Sequence, residues 1–147
     1  MIVTVTLNPS IDRTAPIAGP LRRGQVNRLG SSTEVAAGKG VNISRVLRGA
    51  GIETCAVVPA GAKGRLTLGL NHDDIPHQVV PVAAAVRTNL TITEPDGTTT
   101  KINEPGADLS PEELTAIEEA IVEQSSGAQW VVLSGSLPRA YPHIGMP

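Results

Sequence analysis

The chain has 147 residues, 40% of them apolar and 18% charged, a formal net charge of −2 and a mean hydropathy of +0.03. That is one domain or part of one, with no global field to draw nucleic acid. One Trp, one Tyr and no Phe leave no stacking platform for single strands, and no apolar run approaches the roughly 18 residues of a membrane span.

From the N-terminus, Ile2 to Leu7 is a β-branched run broken by Asn8-Pro9, which predicts a strand and a turn. Residues 13–36 mix polar and apolar positions with Gly-Pro and Arg-Arg-Gly punctuation, and read as short strands or a flap. Ala36-Ala37-Gly38-Lys39-Gly40-Val41-Asn42 then leads into a helix over about 41–50, with Ile43, Val46, Leu47 and Ala50 as its stripe. Glycines let backbone approach a ligand, the helix start offers free N–H groups and a positive dipole end, and Lys39 adds a charge. These features make a receptor for an anion or a ring of hydroxyls. A tight strand-to-helix turn with a solvated lysine is the plain alternative. A Walker A loop is excluded, because no Ser or Thr follows Lys39 and position 33 is Thr.

Thr54 to Val58 predicts a second strand, with Cys55 a packed thiol. Leu66, Leu68 and Leu70 are interrupted by Gly69 and the polar 71–74 cluster, so no helix is predicted there. Val79–Val82 and Arg87–Thr93 read as strands, and Pro95-Asp96-Gly97 turns the chain back into Thr99–Asn103 as a hairpin. The last helix runs from N-cap Ser110 to about Gln124. Pro111 stands at N1, Glu113 closes a capping box and Leu109 staples to Leu114, while Leu114, Ile117 and Ile121 face the core. Trp130 to Leu133 reads as a central parallel strand ending in Ser134-Gly135-Ser136-Leu137-Pro138. The class is α/β with a doubly wound, mostly parallel sheet, whose ligands bind at the carboxyl ends of the strands. His72, His77 and His143 have no ligand spacing, so no metal site is expected, and residues 141–147 carry no periodicity. No basic or long apolar leader opens the chain, so the expectation is a cytoplasmic protein without membrane or nucleic-acid partners.

Polar residues recur beside the predicted strands. Asp12 follows the first, Arg87, Thr88 and Asn89 open another, Lys101, Asn103 and Glu104 end the hairpin, and Ser134 and Ser136 follow the last. Taken singly, each has an ordinary reading as a cap, edge charge or turn residue.

Together these segments resemble the ribokinase-like sugar kinases, most of all the branch of 1-phosphofructokinase and tagatose-6-phosphate kinase. The stretches that carry the likeness are Thr6-Leu7-Asn8-Pro9-Ser10-Ile11-Asp12, the Ala37 to Asn42 loop, Arg87-Thr88-Asn89-Leu90-Thr91-Ile92, Asn103-Glu104-Pro105-Gly106 and Leu133-Ser134-Gly135-Ser136-Leu137-Pro138. They follow the family's order from Met1 to about Pro142. The resemblance implies an incomplete ribokinase-like αβα sandwich over 1–147, with a small β-lid from strands within 13–36 and 86–103. It implies that Asp12 holds sugar hydroxyls, that Gly38, Lys39, Gly40 and Asn42 grip the sugar and help neutralise its phosphate, that Arg87 faces the phosphate with Asn89 nearby, and that Ser136 closes the site. Asp12, Lys39 and Arg87 are therefore expected in one cleft. A homodimer through the lid is implied as well.

The family's Gly-Ala-Gly-Asp segment, with its catalytic Asp and anion hole, is not in this sequence. No catalytic residue is therefore assigned here, and the ATP and Mg²⁺ of the family's reaction belong largely to the other half. The expected activity is ATP-dependent phosphorylation of a sugar phosphate, of the fructose 1-phosphate to fructose 1,6-bisphosphate type. A truncated chain carrying only the sugar-binding half would be inactive alone. Its acceptor is fructose 1-phosphate, tagatose 6-phosphate or fructose 6-phosphate. A non-catalytic sugar-phosphate-binding module, or half of a kinase for another sugar or a nucleoside, are the competing readings. Lys39 and Arg87 favour a phosphorylated ligand.

Overall fold

A computed structural model describes residues 1–138. Its elements in chain order are β1 (Ile2–Val5), β2 (Ser10–Pro16), β3 (Thr33–Ala37), α1 (Lys39–Gly49), β4 (Thr54–Ala60), α2 (Arg65–His72), β5 (His77–Pro81), β6 (Arg87–Thr93), β7 (Thr99–Asn103), α3 (Pro111–Ser125) and β8 (Trp130–Leu133). His143 and the unpatterned 141–147 segment lie outside the described residues.

Two four-stranded sheets result. The first, ordered β5-β4-β1-β8, is wholly parallel. Its strands alternate their side chains between two apolar layers. On β4, Ala56, Val58 and Ala60 join Val41, Leu66 and Leu70 under α1 and α2, whereas Val57 joins Val3, Val5, Leu109 and Ile117 under α3. The second sheet, ordered β3-β2-β6-β7, is the lid: β2 pairs β3 and β6 pairs β7 antiparallel, while β2 and β6 run parallel. This is the α/β architecture with a β-lid that the sequence implies.

Helix α3 forms as its capping signals dictate. Ser110 Oγ accepts from Glu113 N at 3.2 Å, and Glu113 Oε2 accepts from Ser110 N at 2.8 Å. Of the expected stripe only Ile117 is fully buried, while Leu114 and Ile121 pack partly against the same cluster.

Three expectations need correction. A helix does occupy 65–72: Leu66 and Leu70, one turn apart, are both fully buried. Gly69 belongs there because a Cβ would come within 2.8 Å of the Ala36 side chain, where α2 crosses β3. In α1, Val46 is 71% exposed, and the face turned to the sheet is Gly40, Val41 and Ser44. Ser44 is tolerated inside because its hydroxyl pairs with Thr4 Oγ1 at 2.8 Å and Thr54 Oγ1 at 2.9 Å. An apolar periodicity count does not see a buried, satisfied serine. Strand β8 is not central among the described residues. It pairs with β1 alone, and Trp130 and Leu133 are 69% and 66% exposed. Among the described residues no helix is long and apolar enough to cross a membrane.

Candidate functional site

The lid sheet sets polar side chains on one face. Ser10 stands opposite Ala37 on one side and Arg87 on the other; two residues along, Asp12 stands opposite Val35 and Asn89. Strands lie about 4.8 Å apart, so this row sets Arg87 about 10 Å from Ala37, where the chain turns through Gly38 into α1. Residues two apart share a face, and the bonds follow suit. Ser10 Oγ donates to Asp12 Oδ1 at 2.8 Å, and Asn89 Nδ2 donates to the same oxygen at 2.9 Å. Asp12 Oδ2 has no partner among the described residues. Asp12 thus lies within β2, in the lid, rather than on the turn after the first strand as the sequence suggests.

Arg87 is held from three sides. Its Nη1 donates to Glu104 O at 3.2 Å, and its Nη2 donates to Asn8 O at 3.2 Å and Ser136 Oγ at 3.5 Å. Its Nε is enclosed without a partner, and so is Asn89 Oδ1. An enclosed unpaired donor or acceptor costs about 1–3 kcal/mol, which a ligand can offset by supplying the missing partner. A shallow cleft lined by Ala85, Arg87, Glu104, Gly106 and Ala107 opens beside the guanidinium.

The glycine loop is shaped by contact with β1. Gly38, the N-cap of α1, has φ 136°. A Cβ there would lie 2.5 Å from Thr6 Cγ2, and a Cβ on Gly40 would lie 2.5 Å from Thr6 Oγ1 and 2.8 Å from Val5 O. In exchange Thr6 Oγ1 accepts from Val41 N at 3.1 Å, and Asn42 N donates to Gly38 O at 2.8 Å. The N–H groups of Lys39 and Gly40 are left without a protein acceptor among the described residues. Lys39 is exposed, with its Cβ near Gly135, so it stands beside the 134–136 loop.

The fold therefore brings Asp12 and Asn89 together, and Arg87 with Ser136, with Gly38 and Gly40 at the same end of the lid. Asn42 is set apart from that group: its Oδ1 accepts from Arg45 Nη1 at 2.8 Å, and Arg45 in turn pairs with Asp73 at 3.0 Å. Three participants have parts here that the sequence does not give them. Thr6, one residue past the end of β1, accepts from Val41 N in the first turn of α1. Glu104 straps β6 by accepting from Thr88 N through Oε2 at 2.7 Å. Asn8 donates through Nδ2 to Pro105 O at 3.1 Å and Ser136 Oγ at 3.2 Å. Thr6, Asn8 and Glu104 all stand in the segments that carry the family likeness, but there they read as strand, turn and hairpin-end residues.

The partial αβα layer and its β-lid are the fold of the ribokinase-like sugar kinases, and the chain is related to the N-terminal half of those enzymes. Relatives that it matches include phosphofructokinases. It is 32% identical over 143 residues to a 1-phosphofructokinase of Vibrio cholerae, covering 94% of this chain and 44% of the relative. A 1-phosphofructokinase of Xanthomonas campestris is 35% identical over 143 residues, covering 95% of this chain and 45% of the relative. Phosphofructokinase-2 of Escherichia coli, in a crystal structure with fructose-6-phosphate, superposes with a TM-score of 0.87 at 29% identity, over 96% of this chain and 47% of that one. The same enzyme has a structure of a tetrameric inhibited form. No family model matches the chain. The chain spans a little under half the length of the relatives it matches.

Among the described residues no three His, Cys, Asp or Glu side chains gather into a metal-holding group.

Proposed function

We propose that this chain forms the sugar-phosphate-binding half of an ATP-dependent carbohydrate kinase of the 1-phosphofructokinase type. The observation that carries this reading is the enclosed, unpartnered Nε of Arg87, on the same lid face as the Asp12–Asn89 pair. Arg87, Lys39 and the N–H groups of residues 39 and 40 offer charge-assisted donors to a dianionic phosphate. Asp12 Oδ2 and the enclosed Asn89 Oδ1 are acceptors for sugar hydroxyls. Gly38 and Gly40 keep the backbone bare where the sugar approaches, Ser136 closes the far wall, and Asn42 borders the loop. The phosphate-reading groups favour fructose 1-phosphate, fructose 6-phosphate or tagatose 6-phosphate over a neutral sugar.

Phosphoryl transfer needs nucleotide, metal and base positioned together. No Gly-x-Gly-Asp segment occurs in the chain. On this reading the 147-residue chain binds acceptor but transfers nothing by itself, and Mg²⁺ and most of the nucleotide site are supplied from outside it. The exposed apolar side chain of Ile102, on the lid face opposite Asp12 and Asn89, supports a lid that pairs with a second copy. A cytoplasmic setting suits such an enzyme.

Purified chain incubated with ATP, Mg²⁺ and fructose 1-phosphate should give no product above background, and calorimetry should show sugar-phosphate binding. Turnover would place a catalytic base within these residues; absence of binding to any of the three sugar phosphates would remove the reading.

A further inference from the structure

We propose that Asn8 is the positioning residue of this site. Through one side chain and its own carbonyl it holds Arg87, the 105–106 turn and Ser136 in a single arrangement. The three segments are remote in sequence, Pro105 and Ser136 lying 97 and 128 residues from Asn8. The 105–106 turn and Ser136 lie outside every strand ladder, and Arg87 is the first residue of β6, paired only at its backbone, so its guanidinium takes its place from these bonds. Both side-chain N–H groups of Asn8 are spent, one on Pro105 O and one on Ser136 Oγ, while its carbonyl accepts from Arg87 Nη2. The residue is 7% exposed, so water does not compete for these bonds.

The chemistry admits few substitutes. Aspartate has the same shape but offers no donor to Pro105 O, and serine is too short to reach both acceptors. The pocket is also closed from the other side. Gly106 has φ 96°, and a Cβ there would fall on the Asn8 amide. These contacts run to the site's loops and not to the apolar layers. Substitution of the Asn8 side chain keeps the backbone carbonyl that accepts from Arg87 but releases the 105–106 turn and the Ser136 hydroxyl, so the loop that carries that carbonyl and the hydroxyl that Arg87 also reaches lose their fixed places.

The inference rests on the sugar-phosphate reading above, and the experiment separates the two. The full chain, Asn8→Asp, Gly106→Ala and the remote core variant Ile117→Val are each titrated with fructose 1-phosphate and fructose 6-phosphate. The Arg87 Nε–H resonance is recorded in each without ligand. Asn8→Asp and Gly106→Ala should each weaken sugar-phosphate binding about tenfold or more and shift that resonance. Ile117→Val should lower the melting temperature with binding changed less than twofold. Affinities and an Arg87 resonance unmoved by both site variants, or an equal loss of affinity in Ile117→Val, would overturn the role. If the wild-type chain binds neither sugar phosphate, the proposed function fails, and the resonance alone decides on Asn8: unmoved in both variants, it overturns the tie to Arg87.

Discussion

Asn89 donates its side-chain amide to Asp12 across the parallel β2–β6 pair, Nδ2 to Oδ1 at 2.9 Å, and leaves its own carbonyl oxygen enclosed and unpaired. One carboxylate oxygen is fixed by Asn89 and Ser10, while the other stays available. That division of labour orients Asp12 as an acceptor. It implies that Asp12→Ala weakens sugar-phosphate binding by about 1.5–3 kcal/mol. Asp12 is exposed, so the melting temperature should move little. Titration calorimetry beside a thermal melt checks both; unchanged affinity would show that Asp12 serves only the lid.

Gly40 tests the packing that shapes the loop. Its missing Cβ makes room for Thr6 Oγ1 and Val5 O at the start of α1. Gly40→Ala should destabilise the chain by about 1–3 kcal/mol by overpacking against backbone that cannot retreat. Denaturant unfolding measures this, and a loss under about 0.5 kcal/mol would mean that α1 shifts freely on the sheet.

Glu113 links stability to pH. N–H donors from Ser110 and then from Ala83 hold its carboxyl below the usual carboxylate range. A carboxylate depressed in the folded state stabilises above its unfolded value of about 4.3, and that contribution is lost as pH falls through the lower folded value. Glu113→Gln should therefore flatten the acid limb of a stability-versus-pH curve, while Ser110→Ala should cost about 1 kcal/mol at neutral pH. Parallel acid limbs in wild type and Glu113→Gln would contradict the assignment.

Strand β8 presents one unpaired edge among the described residues, with Trp130 and Leu133 bare. Parallel strands are normally covered on both faces, and an open apolar edge invites pairing. The 147-residue chain alone should sediment as self-associated species, and Leu133→Lys should shift it toward monomer. A monodisperse wild type at high concentration would show that this edge is already protected.

Much of the fold was legible because its signals are local. The Ser110 capping box, the Asp96-Gly97 turn and the β-branched run of β6 each declare an element within a few residues. Helix α2 was not legible because its helical logic depends on Gly69 meeting Ala36, a contact between distant segments. The α1 face was misread because Ser44 is buried by bonds to Thr4 and Thr54 on two different strands. The candidate site divides the same way. Residue types at Asp12, Lys39 and Arg87 suggest an anion and hydroxyl receptor, while Asn8, Thr6 and Glu104 gain their parts only when three loops and the lid come together.

The most direct measurement compares fructose 1-phosphate with unphosphorylated fructose on the wild-type chain and on Arg87→Ala, by calorimetry. The account predicts that wild type prefers the phosphorylated sugar and that Arg87→Ala loses about 1.5–3 kcal/mol of its binding, with fructose affected far less. Equal losses for both sugars, or no preference in the wild type, would contradict the claim that this lid face reads a phosphate.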